Sequence, residues 1–463
     1  MKETYYKMNR MKTSTKPMLL GMMLLVGLTA SAGSFKLKTA RPVGQTLSVA
    51  MNAGLPLTLT WGDGTTENLY STGLLQDIAI KDASLTVSTE KDITSLYLAD
   101  NELTELNVTA SASKLRRLIC SNNQLKTLNV GACTELITLD CQGNELSTLS
   151  IVSTSMEELN VADNSLSSNG LRNSGKMVSL VCGGNKFTDV NYLTNMADLE
   201  SLFCQDNQIT SLALTKLVKL RNLVMSGNRI QTLNTGVLEN LQNIWASENR
   251  LKSLDLTKST KLEGLVVAEN QLTEILWNRA TSSSFKYMDL SNNGLFFNSF
   301  PTIYNQLSQK YSVDGAVGPQ KPFQLLKDID VNVRSESLKS YLYQNGWNTS
   351  TQLAITIADG EGTALVADED YVYNNSLYAF TFMKPYSDVV ITATSKNYPD
   401  VVLTSVPFNV IDPAGIEGAE VVPQLSVENA DVFDLQGRKV SAAGASQLPK
   451  GIYVVNGKKI IIK

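Results

Sequence analysis

Histidine is absent from all 463 residues of this sequence. Its absence excludes Ser-His and Cys-His catalytic triads, histidine-ligated zinc and acid–base catalysis by imidazole. An excess of one charge sign is also lacking, because 40 basic and 44 acidic residues give a formal net charge of −4. This balance offers no basic field for nucleic acid and no polybasic patch for a membrane surface. Nucleophile-elbow, phosphate-loop and dinucleotide-binding motifs are lacking too, and we predict no catalytic residue, metal site or cofactor.

Long apolar runs are scarce, and the one that stands out lies near the N-terminus. Five basic residues precede the run Met18–Leu28, whose 11 residues are too few to span a bilayer, which takes about 20. Ala30-Ser31-Ala32 follows as an A-x-A cleavage site, so residues 1–32 are predicted to be a signal peptide. A retained anchor is the alternative. We expect an exported protein, secreted or at the outer cell surface, with the periplasm possible, and no transmembrane segment in the mature chain.

Cysteine is rare, and its placement exposes a repeat. Four of the five cysteines stand three residues before an asparagine, as in "CSNN" and "CQDN". Aligned on that asparagine, position n, the chain shows ten repeats spaced 20 to 23 residues apart. Position n−5 is always Leu, Ile or Met, and position n+2 is always Leu, Ile or Phe. The ten asparagines are Asn101, Asn123, Asn144, Asn164, Asn185, Asn207, Asn228, Asn249, Asn270 and Asn293.

This pattern resembles the leucine-rich repeat, L-x-x-L-x-L-x-x-N-x-L. The resemblance implies a short parallel strand, a turn at the asparagine and a return segment in every coil, stacked into a solenoid with concave strands. We therefore predict a mainly β fold, a leucine-rich-repeat solenoid of about ten 21-residue repeats over residues 93–311. The asparagine amide is expected to bond the buried turn groups of its own coil and of the next coil.

The cysteine column at n−3 is otherwise filled by Leu, Val, Met and Ala. Strand alternation points this column at the same core as n−5, so the cysteines are interpreted as small buried apolar residues. Disulfides between successive strands, or a metal ladder, are the alternatives.

Small β modules are predicted on both sides of the solenoid, because strand-like alternation returns there. Residues 33–92 contain "WGDG", which resembles a motif of polycystic-kidney-disease-type β modules and implies a cap; Asp63 is interpreted as part of a hairpin turn, with calcium binding as the alternative. Residues 312–410 suggest an immunoglobulin-like sandwich. Its "ADED", at 367–370, is interpreted as an exposed turn, with a calcium loop as the alternative.

Residues 411–463 form a linker and a terminal module. The stretches "DLQGRKV" at 434–440 and "LPKGIYVV" at 448–455, with the basic end "GKKIIIK", resemble C-terminal modules of exported Bacteroidetes proteins, some of which act as sorting signals for type IX secretion. Together with the repeats, the chain resembles a Bacteroidetes leucine-rich-repeat surface or secreted protein. The resemblance implies adhesion or partner binding, although a fold alone does not establish a function.

The candidate binding site is the column at n−4, which alternation turns away from the core. Five successive coils carry apolar residues there, and we predict a concave strip that binds a protein partner, or alternatively a glycan. Covering by a cap or a dimer partner, or simple strand propensity, are the competing interpretations. The strip consists of Val181, Phe203, Val224, Trp245 and Val266.

A second candidate feature is an acidic edge at n−1, formed by Asp206, Glu248 and Glu269. Paired carboxylates at strand spacing suit a retaining glycoside hydrolase, and this is the enzyme alternative. A solvated rim that tunes association, or a weak cation site, is the interpretation that we prefer, since Gly227 interrupts the row. We therefore predict a non-enzymatic scaffold.

Overall fold

The structure is a computed structural model that describes residues 33–167, 176–277, 286–300, 317–324, 328–343, 353–412, 420–422, 432–434, 438, 440, 451–455 and 458–462. The predicted signal peptide, residues 1–32, lies outside the described residues. By compactness the chain forms two units, Met1–Asn270 with Leu276–Tyr287, and Gln271–Ile275 with Met288–Lys463. Within the described residues, no helix has the length and apolar character needed to cross a bilayer.

The first unit opens with six strands in residues 33–92. They are β1 (Gly33–Thr39), β2 (Thr46–Met51), β3 (Pro56–Trp61), β4 (Thr66–Tyr70), β5 (Gln76–Ala79) and β6 (Ser84–Thr89). Buried residues alternate along β1 and β6, as expected for strands with one face on a core. The predicted tight turn at Asp63-Gly64 is confirmed: the Asp63 carboxylate accepts the N–H and hydroxyl of Thr65, and Gly64 has a φ of 86°.

Short strands then recur once per coil, each coil being numbered by its asparagine from one (Asn101) to ten (Asn293). The strands of the repeat region are β7 (Ser95–Tyr97), β8 (Leu103–Asn107), β9 (Arg117–Ile119), β10 (Thr138–Asp140), β11 (Glu158–Asn160), β12 (Ser179–Val181), β13 (Ser201–Phe203), β14 (Asn222–Val224), β15 (Asn243–Trp245), β16 (Ser253–Asp255), β17 (Gly264–Val266), β18 (Glu274–Leu276) and β19 (Tyr287–Asp289).

Nine of these strands, from β7 to β17 without β8 and β16, pair in parallel and in register. The predicted leucine-rich-repeat solenoid with parallel concave strands is therefore confirmed. At its first edge β2 pairs antiparallel with β7, and Asn101 exchanges two hydrogen bonds of 2.8 Å with the backbone of Ser48. The strand β8 leaves the repeat pattern to pair with β1.

The asparagine ladder joins each coil to the one before it. The Oδ1 atom of Asn207 accepts the N–H of Phe187 at 3.0 Å. Its Nδ2 atom donates to the carbonyl oxygen of Cys182 at 3.1 Å in the preceding coil. It also donates to Cys204 at 3.2 Å and Gln205 at 3.0 Å in its own coil. The predicted bonds to the asparagine's own coil are confirmed, but the expectation that the amide also bonds the next coil was wrong, because it bonds the preceding one.

In the second unit the ladder has one further member that the sequence does not reveal. Gln320 accepts the N–H of Leu295 at 3.0 Å and donates to the carbonyl oxygen of Leu290 at 2.9 Å. These are the bonds that an asparagine of the next coil makes elsewhere. Gln320 therefore takes the place of an eleventh asparagine, within residues that the sequence analysis assigned to the immunoglobulin-like sandwich.

The rest of the second unit is mostly strand. Its elements are β20 (Ile329–Asp330), α1 (Lys339–Leu342), β21 (Leu353–Ala358), β22 (Tyr371–Asn374), β23 (Ala379–Phe382), β24 (Tyr386–Ser395), β25 (Tyr398–Thr404), β26 (Phe408–Ile411), β27 (Glu420–Val422), β28 (Val432–Phe433), β29 (Gly451–Val455) and β30 (Lys458–Ile462). The long strand β24 pairs with β21, β25 and β26, and β22 pairs with β23. The last four strands form a sheet in the order β27-β30-β29-β28.

Candidate functional site

The concave face of the first unit carries three outward columns of side chains, at n−6, n−4 and n−2. Leu202, at n−5, and Cys204, at n−3, are fully buried, while Phe203 between them is half-buried. Because successive side chains of a strand point to opposite faces, this burial confirms the predicted register. The columns repeat at the spacing of parallel strands, about 4.8 Å.

The five residues of the predicted strip share this face but are not equally open. Val181, Phe203 and Val266 are half-buried. Val224, in contrast, is 2% exposed and Trp245 is 4% exposed. The expectation of an uninterrupted open strip with an accessible Trp245 was therefore wrong, and a partner can reach the strip only on either side of its centre.

Tyr287 accounts for the burial of Trp245. Its ring, at n−6 of coil ten, packs against the indole. The ring can reach there because coil nine has Gly264 at n−6, where an added Cβ would overlap the Tyr287 ring. Burial also raises the pKa of Tyr287. Sequence reasoning missed Tyr287, although a glycine and a tyrosine at consecutive n−6 positions were the available signal.

Polar groups of the n−6 column form a chain beside the strip. The hydroxyl of Tyr287 donates to Oδ1 of Asn243, and Nδ2 of Asn243 donates to Oδ1 of Asn222 at 2.7 Å. Nδ2 of Asn222 donates in turn to Oγ of Ser201 at 3.1 Å. The hydrogen bonds all point in one direction, from Tyr287 of coil ten to Ser201 of coil six, so these side chains hold one another in place.

Charge divides the concave face into two parts. The fifteen outward positions of coils five to nine contain only apolar residues, Ser, Asn, Gln and Gly. The same columns of coils two to four contain Arg117, Asp140 and Glu158. Burial raises the pKa of Asp140 to about 6, against hydrogen bonds from the Gln142 backbone and the Asn160 side chain. The uncharged part contains the whole predicted strip.

The acidic edge has a conformational explanation. All ten n−1 residues have a positive φ, between 53° and 67°. Only glycine, asparagine and aspartate adopt this left-handed region readily, and the column contains Gly, Asn and Asp in eight of its ten coils. Asp206 belongs to this group, whereas Glu248 and Glu269 occupy the same turn as less favoured residues. Turn geometry therefore explains the Asp206 position without catalysis.

The three edge carboxylates are exposed. Partial desolvation raises the pKa of Asp206, and the charges of Glu248 and Asp163 raise it further. Among the described residues, no group of three or more Cys, Asp or Glu is placed to hold a metal ion.

In the second unit, Asp370 of the "ADED" stretch accepts hydrogen bonds from Val366, Lys384 and Tyr386, which hold its pKa at about 2.

The cysteines are structural. All five are buried and free. Burial raises the pKa of Cys133 to about 11 and those of Cys120, Cys141 and Cys204 further. Because the thiolate is the reactive form, these thiols are protected in the folded protein, and the core interpretation of the cysteine column is confirmed.

No protein-family model matches the chain, and no curated protein matches its sequence. Among solved structures, it is similar to the functional domain of InlJ from Listeria monocytogenes, described as including a cysteine ladder, with 17% identity over 72% of this chain and 94% of that one and a TM-score of 0.31. A leucine-rich-repeat protein of Leptospira interrogans shares 22% identity over 50% of this chain and 61% of its own, with a TM-score of 0.40. YopM from Yersinia enterocolitica shares 21% identity over 52% of this chain and 51% of its own, with a TM-score of 0.39. At these identities the likeness concerns the fold alone, which is that of leucine-rich-repeat proteins.

Proposed function

We propose that this protein is an exported, non-enzymatic scaffold that binds a protein partner through the concave face of coils five to nine. The observation that carries the proposal is the uncharged field of fifteen outward positions around an apolar column. Interface centres are depleted of charge and enriched in aromatic side chains. Phe203, half-buried within this field, is the residue that we expect to anchor the partner.

The acidic edge supports the same proposal in a secondary role. Asp206, Glu248 and Glu269 border the uncharged field at n−1 and are exposed. Charges at the rim of an interface change association rates and salt dependence more than final affinity. A glycoside hydrolase using these carboxylates is the enzyme alternative, and a glycan is the alternative ligand.

Export is supported by the sequence of residues 1–32 and by the resemblance of the C-terminal module to type IX sorting domains. Protection of all five thiols suits a protein that leaves the reducing cytosol. N-terminal sequencing of the secreted or surface fraction tests this part, because cleavage after Ala32 places Gly33 first. A mature chain that retains Met1–Lys16 contradicts it.

The binding proposal is tested on protein and glycan arrays with the purified chain. We expect protein hits that Phe203→Ala weakens by about 2 kcal/mol. Val218, which is 48% exposed and lies outside the concave columns, provides the matched control, and Val218→Ala should bind normally. Glycan hits alone support the alternative ligand, turnover of a bound glycan supports the enzyme, and equal loss in both variants rejects the site.

A further inference from the structure

Among the residues that the structure describes, none accepts from several donors of the hydrogen-bond chain on the concave face. An asparagine amide has two N–H groups, and Asn222 and Asn243 each give one to the next member of the chain. The Ser201 hydroxyl accepts from Asn222, so its own hydrogen is free to donate outward. These side chains are half-buried. A partner that covers them must offer acceptors.

The apolar residues beside this chain form a shallow floor with a ring at each end. Phe203 is half-buried at one end, and the Tyr287 ring lies above Gly264 at the other. Val224 and Trp245 lie between them, almost fully buried. The surface thus combines two aromatic rings, a sunken apolar floor and a row of donors, without charge.

The donor spacing selects among backbone conformations. Donors recur once per coil, at about 4.8 Å. An extended strand presents carbonyls on one side about every 6.6 Å, which matches neither one coil (about 4.8 Å) nor two (about 9.6 Å). A polyproline II helix repeats every three residues, at about 9.3 Å, and leaves its carbonyls unbonded. That repeat agrees with two coils, about 9.6 Å. An α-helix is unsuited, because its carbonyls are bonded internally.

We propose that coils six to nine, together with Tyr287 of coil ten, bind an uncharged, proline-rich segment of the protein partner in the polyproline II conformation. Phe203 and Tyr287 provide the aromatic surfaces on which proline rings pack, while Ser201 and Asn243, two coils apart, donate to its carbonyls. Asn222 lies between them and holds Asn243 in place through its Oδ1 atom. The hydroxyl of Tyr287 orients Asn243, and through it the rest of the chain, so Tyr287 is a positioning residue as well as a contact. This inference rests on the proposed function and names the part of the partner that the site recognises.

The test uses a synthetic proline decapeptide and the full chain, with binding measured by calorimetry. We expect the peptide to bind with little dependence on salt, since the field is uncharged. Tyr287→Phe keeps the ring and removes the hydroxyl, and Asn222→Leu removes the amide; each should weaken binding about five- to tenfold. Asn240 also bonds a neighbouring coil, through the Val218 carbonyl, but lies outside the three columns, so Asn240→Leu is the matched control and should bind as the wild type does.

Each other outcome rejects a definite part of the reasoning. If the array yields a protein partner but the decapeptide does not bind, the inference is wrong and the proposed function stands. Binding of a neutral oligosaccharide such as maltoheptaose with the same losses in the variants also overturns the inference, because the row of donors then recognises sugars. If Tyr287→Phe binds the peptide as tightly as the wild type, or if Asn240→Leu weakens binding as much as Asn222→Leu does, the hydrogen-bond chain takes no part in recognition. If neither the peptide nor any arrayed protein binds, both proposals fail.

Discussion

The ring of Tyr287 meets the ring of Trp245 edge to face, with centroids 6.1 Å apart and 67° between their planes. Aromatic pairs in this geometry contribute about 0.5–1.5 kcal/mol beyond the apolar area that they bury. Two residues separated by 42 positions in the sequence thus form a local core on the concave face. This pair makes Trp245 part of the folded framework and not an open binding residue.

Trp245→Ala is therefore expected to lower the free energy of unfolding by about 3–5 kcal/mol, because it leaves a cavity under Tyr287. Urea titration of the variant and the wild type measures the difference. Val218→Ala, on an exposed side chain, should change stability by no more than about 0.5 kcal/mol. Unchanged stability of Trp245→Ala would show that the indole is open to solvent, and it could then serve as a contact residue.

Asn207→Ala tests the ladder. The substitution leaves the N–H of Phe187 without its partner and removes one of the two amide donors to the carbonyl oxygen of Cys182, so we expect a loss of about 1–3 kcal/mol in unfolding free energy. Asn240→Ala removes two exposed bonds, one to the Val218 carbonyl and one from the Lys261 ammonium group, and serves as the control. Similar small losses in both variants would mean that the ladder asparagines do not stabilise the stack.

Asp140 should make stability depend on pH. Its pKa in the folded protein is raised from 3.8 to about 6, so the folded state binds the proton more tightly than the unfolded state. The resulting stabilisation is complete below about pH 4 and is lost as the pH rises through 6. Asp140→Asn should match the wild type near pH 4 and exceed its stability at pH 7 by about 2 kcal/mol. Urea midpoints at the two pH values measure this, and parallel curves for both proteins would contradict it.

Thiol titration tests the cysteine column. The unfolded, unreduced protein should show five free thiols, as the structure does, while the native protein should react only as fast as it unfolds. Cys204→Ala is expected to lower the unfolding free energy by about 1 kcal/mol, as a small cavity does. A titre below five would indicate a disulfide or bound metal, and the core interpretation would then be wrong.

The solenoid could be derived from the sequence because its signal repeats. Leu202 and Cys204 follow the same periodic rule as their counterparts in other coils, so ten copies identify strand, turn and buried columns together. The role of Gln320 in the ladder could not be predicted, because Gln320 follows Asn293 at a spacing outside the range of 20 to 23 residues and has a longer side chain than asparagine. The contact of Tyr287 with Trp245 could not be predicted, because it depends on a single glycine and does not recur from coil to coil.

The backbone conformation of the n−1 column could be predicted from its residue types, but only their charge was considered. Asp206, Glu248 and Glu269 attracted attention as carboxylates, whereas the glycines between and before them pointed to backbone conformation. Gly184 and Gly227 have positive φ angles of 63° and 67°, as do their acidic neighbours in the stack. A column that alternates between glycine and aspartate is better explained by a left-handed turn than by a catalytic or metal-binding role.

That alternation also determines how many coils can be added to the solenoid, or removed from it, at one time. Asn122, Asp163 and Asp206 each extend over the glycine of the following coil, Gly143, Gly184 and Gly227 respectively, and an added Cβ at any of these glycines would collide with the side chain above it. Removing one central coil would break this alternation, and the side chains at the junction would have to rearrange, as Asp100 and Asn122 do where they follow one another and form a hydrogen bond of 3.0 Å. Removing two adjacent coils restores the sequence of large and small. The central part of this protein is therefore modular in pairs, and gene duplications or engineered length variants should be tolerated best when they respect that double step.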